Sequence, residues 1–454
     1  MQRLLPESKN KISTLIGYFI LLTSAYLLGF NMLVVFFIIG ILSYLWLSSK
    51  KIKYNLYQFS LLILLLLFAS KLIIENKLSA YFIPISAIAM LATLLFNNLN
   101  IAFLMTIISS ILVSLFIRSD LYLFLIFLIS GITSVILSFK ARRRIQIINA
   151  GIIVGIVQVI CILFVNDFQI LDFKRSILPS ILNGFLSSIF VLGTLPIFEY
   201  LFGVLTDISL LELTDFNHPL LKRLTLEAPG TYHHSLIVGN LSEAACDAIG
   251  ANSLLARVGA YYHDIGKLAK PEYFNENQLK TNKHDNISPN LSRMIIMNHV
   301  KEGINLGKKY RINPIISSFI EQHHGTSMIY YFYRKAQETG LDKNIKEDAF
   351  RYQGPKPKTI ETAVVLLADS AEAATRAIED PTPSKIQETV HKIINNKFTD
   401  GQLDECELTL KDLEKIAKTF IRLLNVVYHT RIEYPDENKA AKHTEKNLPK
   451  PKNN

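Results

Sequence analysis

From Ile12 to about Thr206 the chain is a nearly continuous succession of apolar runs, and this stretch limits what it can fold into. A spanning helix needs about 20 apolar residues. Runs of that kind fall at 12–30, 31–49, 56–74, 79–97, 99–117, 120–139, 146–166 and 177–203, giving about eight spans on the length rule. Only Phe30-Asn31 separates the first two, so 12–49 reads either as a tight hairpin or as one long broken helix. Met1–Lys11 is basic, but no small-residue cleavage site follows it, and it reads as an anchor and not as a removed signal peptide. Ionisable residues are nearly absent deep in the runs. Lys71 and Glu199 fall near span ends, where they are expected to snorkel, and Pro84 and Pro196 are expected to kink their helices. A transport path needs polar groups at mid-depth, so the pattern favours an anchoring or sensing bundle.

The basic residues set the expected orientation. Arg3, Lys9 and Lys11 precede the first run, Lys50, Lys51 and Lys53 follow the second, and Lys140 and Arg142–Arg144 follow the sixth. With an even number of spans these clusters share one face with everything after Thr206, and that face is cytoplasmic by the positive-inside rule. An odd number would separate the N-terminal lysines from Arg142–Arg144. The formal net charge of +10 is accounted for by loops beside the membrane and by the C-terminal end, so the lipid bilayer is the expected partner and no nucleic-acid polymer is.

From Asp207 onward the chain reads as an all-α soluble domain reaching about residue 430, after which 431–454 is a basic, polar tail expected to be disordered. All eleven histidines lie at or beyond His218, which assigns any metal or acid–base chemistry to this half. Cys161, Cys246 and Cys406 show neither a disulfide framework nor metal-ligand spacing, and they suit a reducing compartment. Pro229-Gly230, Asn252-Ser253, Ser288-Pro289 and Asn313-Pro314 punctuate a series of amphipathic helices, and a fifth is expected over Thr359–Ile378.

Chemistry concentrates at His263-Asp264-Ile265-Gly266-Lys267. Adjacent His and Asp offer a metal an imidazole nitrogen and a carboxylate, and only the carboxylate can bridge two cations. Gly266 is expected to end the helix, with Lys267 just beyond it where a phosphate could meet its ammonium. His234, His299, the pair His323-His324 and Asp369 sit on or at the ends of four further helices. Such a set binds divalent iron, manganese or zinc, and the lack of cysteine argues against a purely structural zinc site.

The order His234, His263-Asp264, His299, His323-His324, Asp369 resembles the HD-domain phosphohydrolases, and more narrowly the membrane-anchored, multi-span HD family of cyclic di-AMP phosphodiesterases. Ala228–Ser235, Phe274–Gln278, Tyr331–Tyr333, Phe350–Pro357 and Leu367–Ser370 add to the likeness, which covers roughly 207–424 by motif and the apolar half by architecture. The resemblance implies that His234, His263, Asp264 and Asp369 hold one divalent manganese or iron, and that Asp264, His299, His323 and His324 hold a second, with Asp264 bridging. His263, Asp264 and Lys267 would be the catalytic group. It further implies a multi-pass enzyme of the cell inner membrane with its HD domain in the cytoplasm, cutting a cyclic dinucleotide to a linear one, and it leaves room for a homodimer.

Three features depart from the family's pattern, one of them Lys283 before His284-Asp285. Where the family carries a large extracytoplasmic domain after its first span, only Phe30-Asn31 stands, and Gln353 replaces the usual proline. The alternatives are an HD hydrolase of another nucleotide, such as cyclic di-GMP, or a membrane receptor that only binds nucleotide. The cyclic di-GMP branch typically has Glu after its paired histidines and a later Gly-Tyr-Pro. Here Gly325-Thr326 follows, and Gly-Tyr-Pro is absent.

Overall fold

The computed structural model describes residues 17–19, 40, 56–117, 121–165, 173–278, 282–339 and 346–428. Apart from 17–19 and 40, the expected runs within 12–49 lie outside the described residues, as do the basic residues up to Lys53 and the 431–454 tail. The chain divides into two compact units, Met1–Lys222 with Asn313–Ser318, and Arg223–Ile312 with Phe319–Asn454.

In the first unit, α1 (Leu56–Glu75), α3 (Leu99–Phe116), α4 (Leu121–Ser138), α5 (Arg144–Val165) and α6 (Leu178–Phe202, extended by a π turn from Phe173) are each long and apolar enough to cross a bilayer. Leu62, Leu66, Met90, Met105, Ile147, Val154 and Val191 fill the interior, while Phe68, Ile136, Ile152, Phe164 and Ile189 face outward. Helices apolar on both faces belong in hydrocarbon. There burial against lipid drives little association, and close backbone packing takes over. At the α5–α6 crossing a Cβ on Gly184 would lie 2.1 Å from the Gly151 oxygen and 2.5 Å from the Gly155 nitrogen.

The run at 79–97 differs from expectation. It forms a 3₁₀ turn, Ala80–Phe82, and then α2 (Ile85–Phe96), whose 12 residues rise about 18 Å, short of the ~30 Å hydrocarbon core. Pro84 has no N–H to continue the ladder, so carbonyls before it need other donors. Gln158 Nε2 donates to Tyr81 O (3.2 Å) and Asn183 Nδ2 to Ile83 O (3.1 Å). Pro84 therefore interrupts the run where a kink was expected, and buried amides of α5 and α6 compensate the break. Pro196 lies inside an uninterrupted α6.

Glu199 also differs, because it does not snorkel. Its carboxylate is buried and accepts from Thr206 N (2.9 Å), Thr206 Oγ1 (2.5 Å) and Ser209 Oγ (2.7 Å). It thereby ties the end of α6 to α7 (Asp207–Leu213), and the first compact unit runs on to Lys222. α8 (Pro219–Glu227) spans the junction.

The second unit comprises α9 (Pro229–Ile249), α10 (Ser253–Tyr262), α11 (Pro289–Lys309), the end of α12 (Pro314–Gln322), α13 (Tyr330–Thr339), α14 (Ile360–Arg376), α15 (Pro383–Thr399) and α16 (Leu410–Val427). Among the described residues there is no strand, only an isolated bridge between Met328 and Arg351. Proline opens α9, α11 and α15, and Asn252, Ser288 and Thr359 accept from the first-turn amides of their helices. α14 is the central element: Ala363–Ala368 are fully buried against Val238 and Leu241 of α9, Phe319 of α12 and Phe420 of α16. Asp369 continues directly from that run, so the packing that fixes α14 also fixes its carboxylate.

Candidate metal centre

Five helices deliver the expected ligands to one point. His234 comes from the second turn of α9, His299 from the middle of α11 and Asp369 from α14. His263-Asp264 follows α10 and His323-His324 follows α12. All are buried except His324, which is partly exposed. The two carboxylate oxygens of Asp264 face different histidines. Oδ1 lies 3.4 Å from His299 Nε2 and 3.5 Å from His323 Nε2; Oδ2 lies 3.1 Å from His263 Nε2 and 3.8 Å from His234 Nε2. Asp369 Oδ1 is 3.0 Å from His234 Nε2, and its Oδ2 is 3.6 Å from His324 Nδ1.

The backbone sets which ring nitrogen faces inward. The Nδ1 atoms of His263, His299 and His323 bond the carbonyls of Ala260, Ile296 and Ile320, so each Nε2 is left as a bare lone pair aimed into the cluster. His299 Nε2 and His323 Nε2 stand 3.2 Å apart. Buried lone pairs facing one another and a carboxylate need a cation or a proton between them. His263 Nε2 and Asp264 Oδ1 are buried with no hydrogen-bond partner, so the donor set fits metal. His234, His263 and Asp264 form one group of converging ligand atoms, and Asp264, His299, His323 and His324 form a second.

The electrostatics keep both carboxylates and two of the imidazoles in the form that binds a cation. Burial opposes ionisation of Asp264, but His263 and Lys267 outweigh it and hold the carboxyl well below its usual range. Asp369 behaves likewise, through its bond with His234. Burial lowers His299 to about 4 and also depresses His324, which keeps both imidazoles neutral near pH 7. Burial pulls His234 down as well, yet its bonds to Asp369 and Glu372 prevail and lift it to about 9.

Lys267 is closely paired, and Gly266 acts differently from the sequence expectation. The Lys267 ammonium lies 2.8 Å from Asp264 Oδ2 and 2.6 Å from Glu276 Oε1, over the Phe274 ring. Its charge is therefore already shared by two carboxylates. α10 ends at Tyr262, before Gly266, which sits in a 3₁₀ turn with ordinary φ. A Cβ there would lie 1.8 Å from His299 O and 2.5 Å from Gly303 N. Glycine is needed because this turn packs directly on the α11 backbone.

Sequence reading missed three neighbours. Glu372 is buried and meets His234 Nδ1 at 2.5 Å, with Tyr428 OH donating to its other oxygen at 3.0 Å. Its position one helical turn beyond Asp369 was the available signal. Tyr352 stacks on His324, ring centroids 4.2 Å apart, and Glu276 joins Lys267 to Thr231 (3.1 Å). Two further histidines lie outside the cluster: His284 bonds Tyr273 O at 2.7 Å, and His233 is exposed.

Comparison with known proteins places this geometry. Residues 18–206 match the family described as a 7TM receptor with intracellular HD hydrolase, and 231–374 match the HD domain. The chain is 40% identical over 434 residues to the cyclic-di-AMP phosphodiesterase PgpH of Bacillus subtilis (strain 168), covering 91% of this chain and 61% of the relative. It is 42% identical over 366 residues to the PgpH of Listeria monocytogenes serotype 1/2a (strain 10403S), covering 79% of this chain and 51% of the relative. A solved HD domain of the Listeria protein is 49% identical, with a TM-score of 0.45, covering 47% of this chain and all of that one. The chain thus spans between half and about three fifths of the length of the two curated relatives. The apolar helices and the unit that follows them thus match, in that order, a seven-transmembrane receptor family with an intracellular HD hydrolase and the HD domain itself.

Proposed function

We propose that this multi-pass membrane protein is a metal-dependent phosphodiesterase that opens a cyclic dinucleotide, cyclic di-AMP, to the linear dinucleotide. The observation that carries this reading is Asp264, whose two oxygens stand between two separate sets of imidazoles. His234, His263, Asp264 and Asp369 would hold one divalent manganese or iron, and Asp264, His299, His323 and His324 the other. When bound, such a pair supplies Lewis acidity to a phosphoryl oxygen and lowers the pKa of water. The chain's own residues do the rest. Asp264 stays ionised because His263 and Lys267 stabilise its charge, and Glu276 keeps the Lys267 ammonium in place. Burial excludes bulk water from Asp264 and Asp369, which strengthens each charge interaction there. Tyr352, stacked on His324, limits the motion of the most exposed ligand. The choice of cyclic di-AMP rests on the names of the two curated relatives.

The HD unit is assigned to the cytoplasm. Supporting this, Arg144 of the basic cluster pairs with Glu212 beyond the last span (2.6 Å), as expected if Lys140–Arg144 and α7 share one side of the bilayer.

The full chain, purified in detergent with manganese, tests the reading against cyclic di-AMP and cyclic di-GMP with the products identified. Release of linear di-AMP is expected. Turnover of cyclic di-GMP alone, or binding of either without turnover, would replace the reading with one of its rivals.

A further inference from the structure

Beside the metal-ligand cluster, α15 contributes a cation to which the reaction outlined above gives no role. Lys397, in the last turn of α15, is half-buried and donates from Nζ to Ser327 Oγ at 2.7 Å. Ser327 is itself buried and belongs to the ligand turn: its N–H donates to His324 O (3.0 Å), and its carbonyl accepts from Tyr352 N (3.0 Å). Lys397 is thus held where the His323-His324 turn, the Tyr352 segment and α15 meet. The acids whose charge reaches it are Asp369 and Asp400. Asp400 is engaged by Arg351 (3.0 Å) and Gln402 (2.8 Å), and Asp369 by His234 (3.0 Å). Among the described residues no carboxylate forms an ion pair with Lys397, and burial lowers its pKa. Withdrawing an ammonium from water without a counter-ion is unfavourable unless an anion arrives to use it.

We propose that Lys397 binds the second, non-scissile phosphate of the substrate. This rests on the phosphodiesterase reading and deepens it: a cyclic dinucleotide carries two phosphodiesters on one ring, so a substrate whose first phosphate meets the Asp264 cluster brings another anion along. A serine hydroxyl that orients the ammonium without neutralising it suits a site that pairs with phosphate only during binding. Lys397 is in this sense a determinant of specificity for two-phosphate substrates over simple diesters.

The test compares kcat/KM for cyclic di-AMP, which has two phosphates, with that for bis(4-nitrophenyl) phosphate, which has one, using the full chain with manganese. Lys397→Met should lower the cyclic di-AMP to bis(4-nitrophenyl) phosphate ratio by about tenfold or more, mainly through KM, as expected for loss of one charge-assisted hydrogen bond. Lys397→Arg should keep most of the ratio. If Lys397→Met fails to fold, Lys397→Gln removes the charge while keeping a donor for Ser327, and the same comparison applies. An unchanged ratio, whether both activities fall together or neither moves, overturns the assignment. A wild-type chain that cuts the simple diester but not cyclic di-AMP would instead sink the substrate reading, and this inference with it.

Discussion

At the scale of single residues, the bridging geometry makes Asp264 the most sensitive position. Asp264→Ala removes the carboxylate facing both imidazole sets, and Asp264→Asn keeps its shape but loses the anion. Both should abolish metal retention, measured by elemental analysis, and lower kcat by on the order of a thousandfold or more, since a metal pair supplies several kcal/mol of charge stabilisation. Near-normal activity with both metals retained would disprove bridging. Glu372 acts through His234, so Glu372→Gln should weaken metal affinity about 10–100-fold while leaving the fold intact, as read by metal titration alongside thermal unfolding. An unchanged affinity would reduce Glu372 to a packing partner. The convergence of these His and Asp side chains was legible in the sequence because their chemistry lies in residue type and order. Glu372 and Lys397 were not, because Glu and Lys are ordinary on helix surfaces. Their partners, His234 and Ser327, lie 138 and 70 residues away.

At the scale of elements, proline and capping residues made most helices of the HD unit readable, down to Thr359 at the start of α14. Two features were hidden for a common reason, namely that backbone packs against something distant in sequence. Pro84 splits an apolar run that composition alone reads as one span, and the break depends on amides from Gln158 and Asn183. Gly266 reads as a helix stop, yet its role is contact with His299 and Gly303 of α11. Gly266→Ala should therefore behave unlike an ordinary loop substitution. Its methyl must displace either the His263-Asp264 turn or α11, both of which carry proposed ligands, so overpacking of about 1–3 kcal/mol should accompany loss of metal. A variant with wild-type melting temperature and full metal content would show that the turn is free to relax.

For the whole molecule, composition set the apolar runs apart from the histidine-bearing half, but it could not count the crossings, because the length of an apolar run does not reveal that α2 is too short. With seven spans, as the family's description has it, the N-terminal lysines fall on the opposite side from Arg142–Arg144. Orientation is better tested where it does not depend on that count. Between Lys140 and Thr206 lie two helices of spanning length, α5 and the Phe173–Phe202 segment, so both ends share a side whatever precedes them. The Arg144–Glu212 pair requires the same. Reporters fused after Lys140 and after Thr206 should both register the cytoplasm, and one inserted between Val165 and Phe173 should register the far side. Opposite signals from the first two would mean that α5 or α6 does not cross. A shared signal on the non-cytoplasmic side would keep both helices as spans but place the metal centre outside the cytoplasm, which the basic cluster at Lys140–Arg144 argues against.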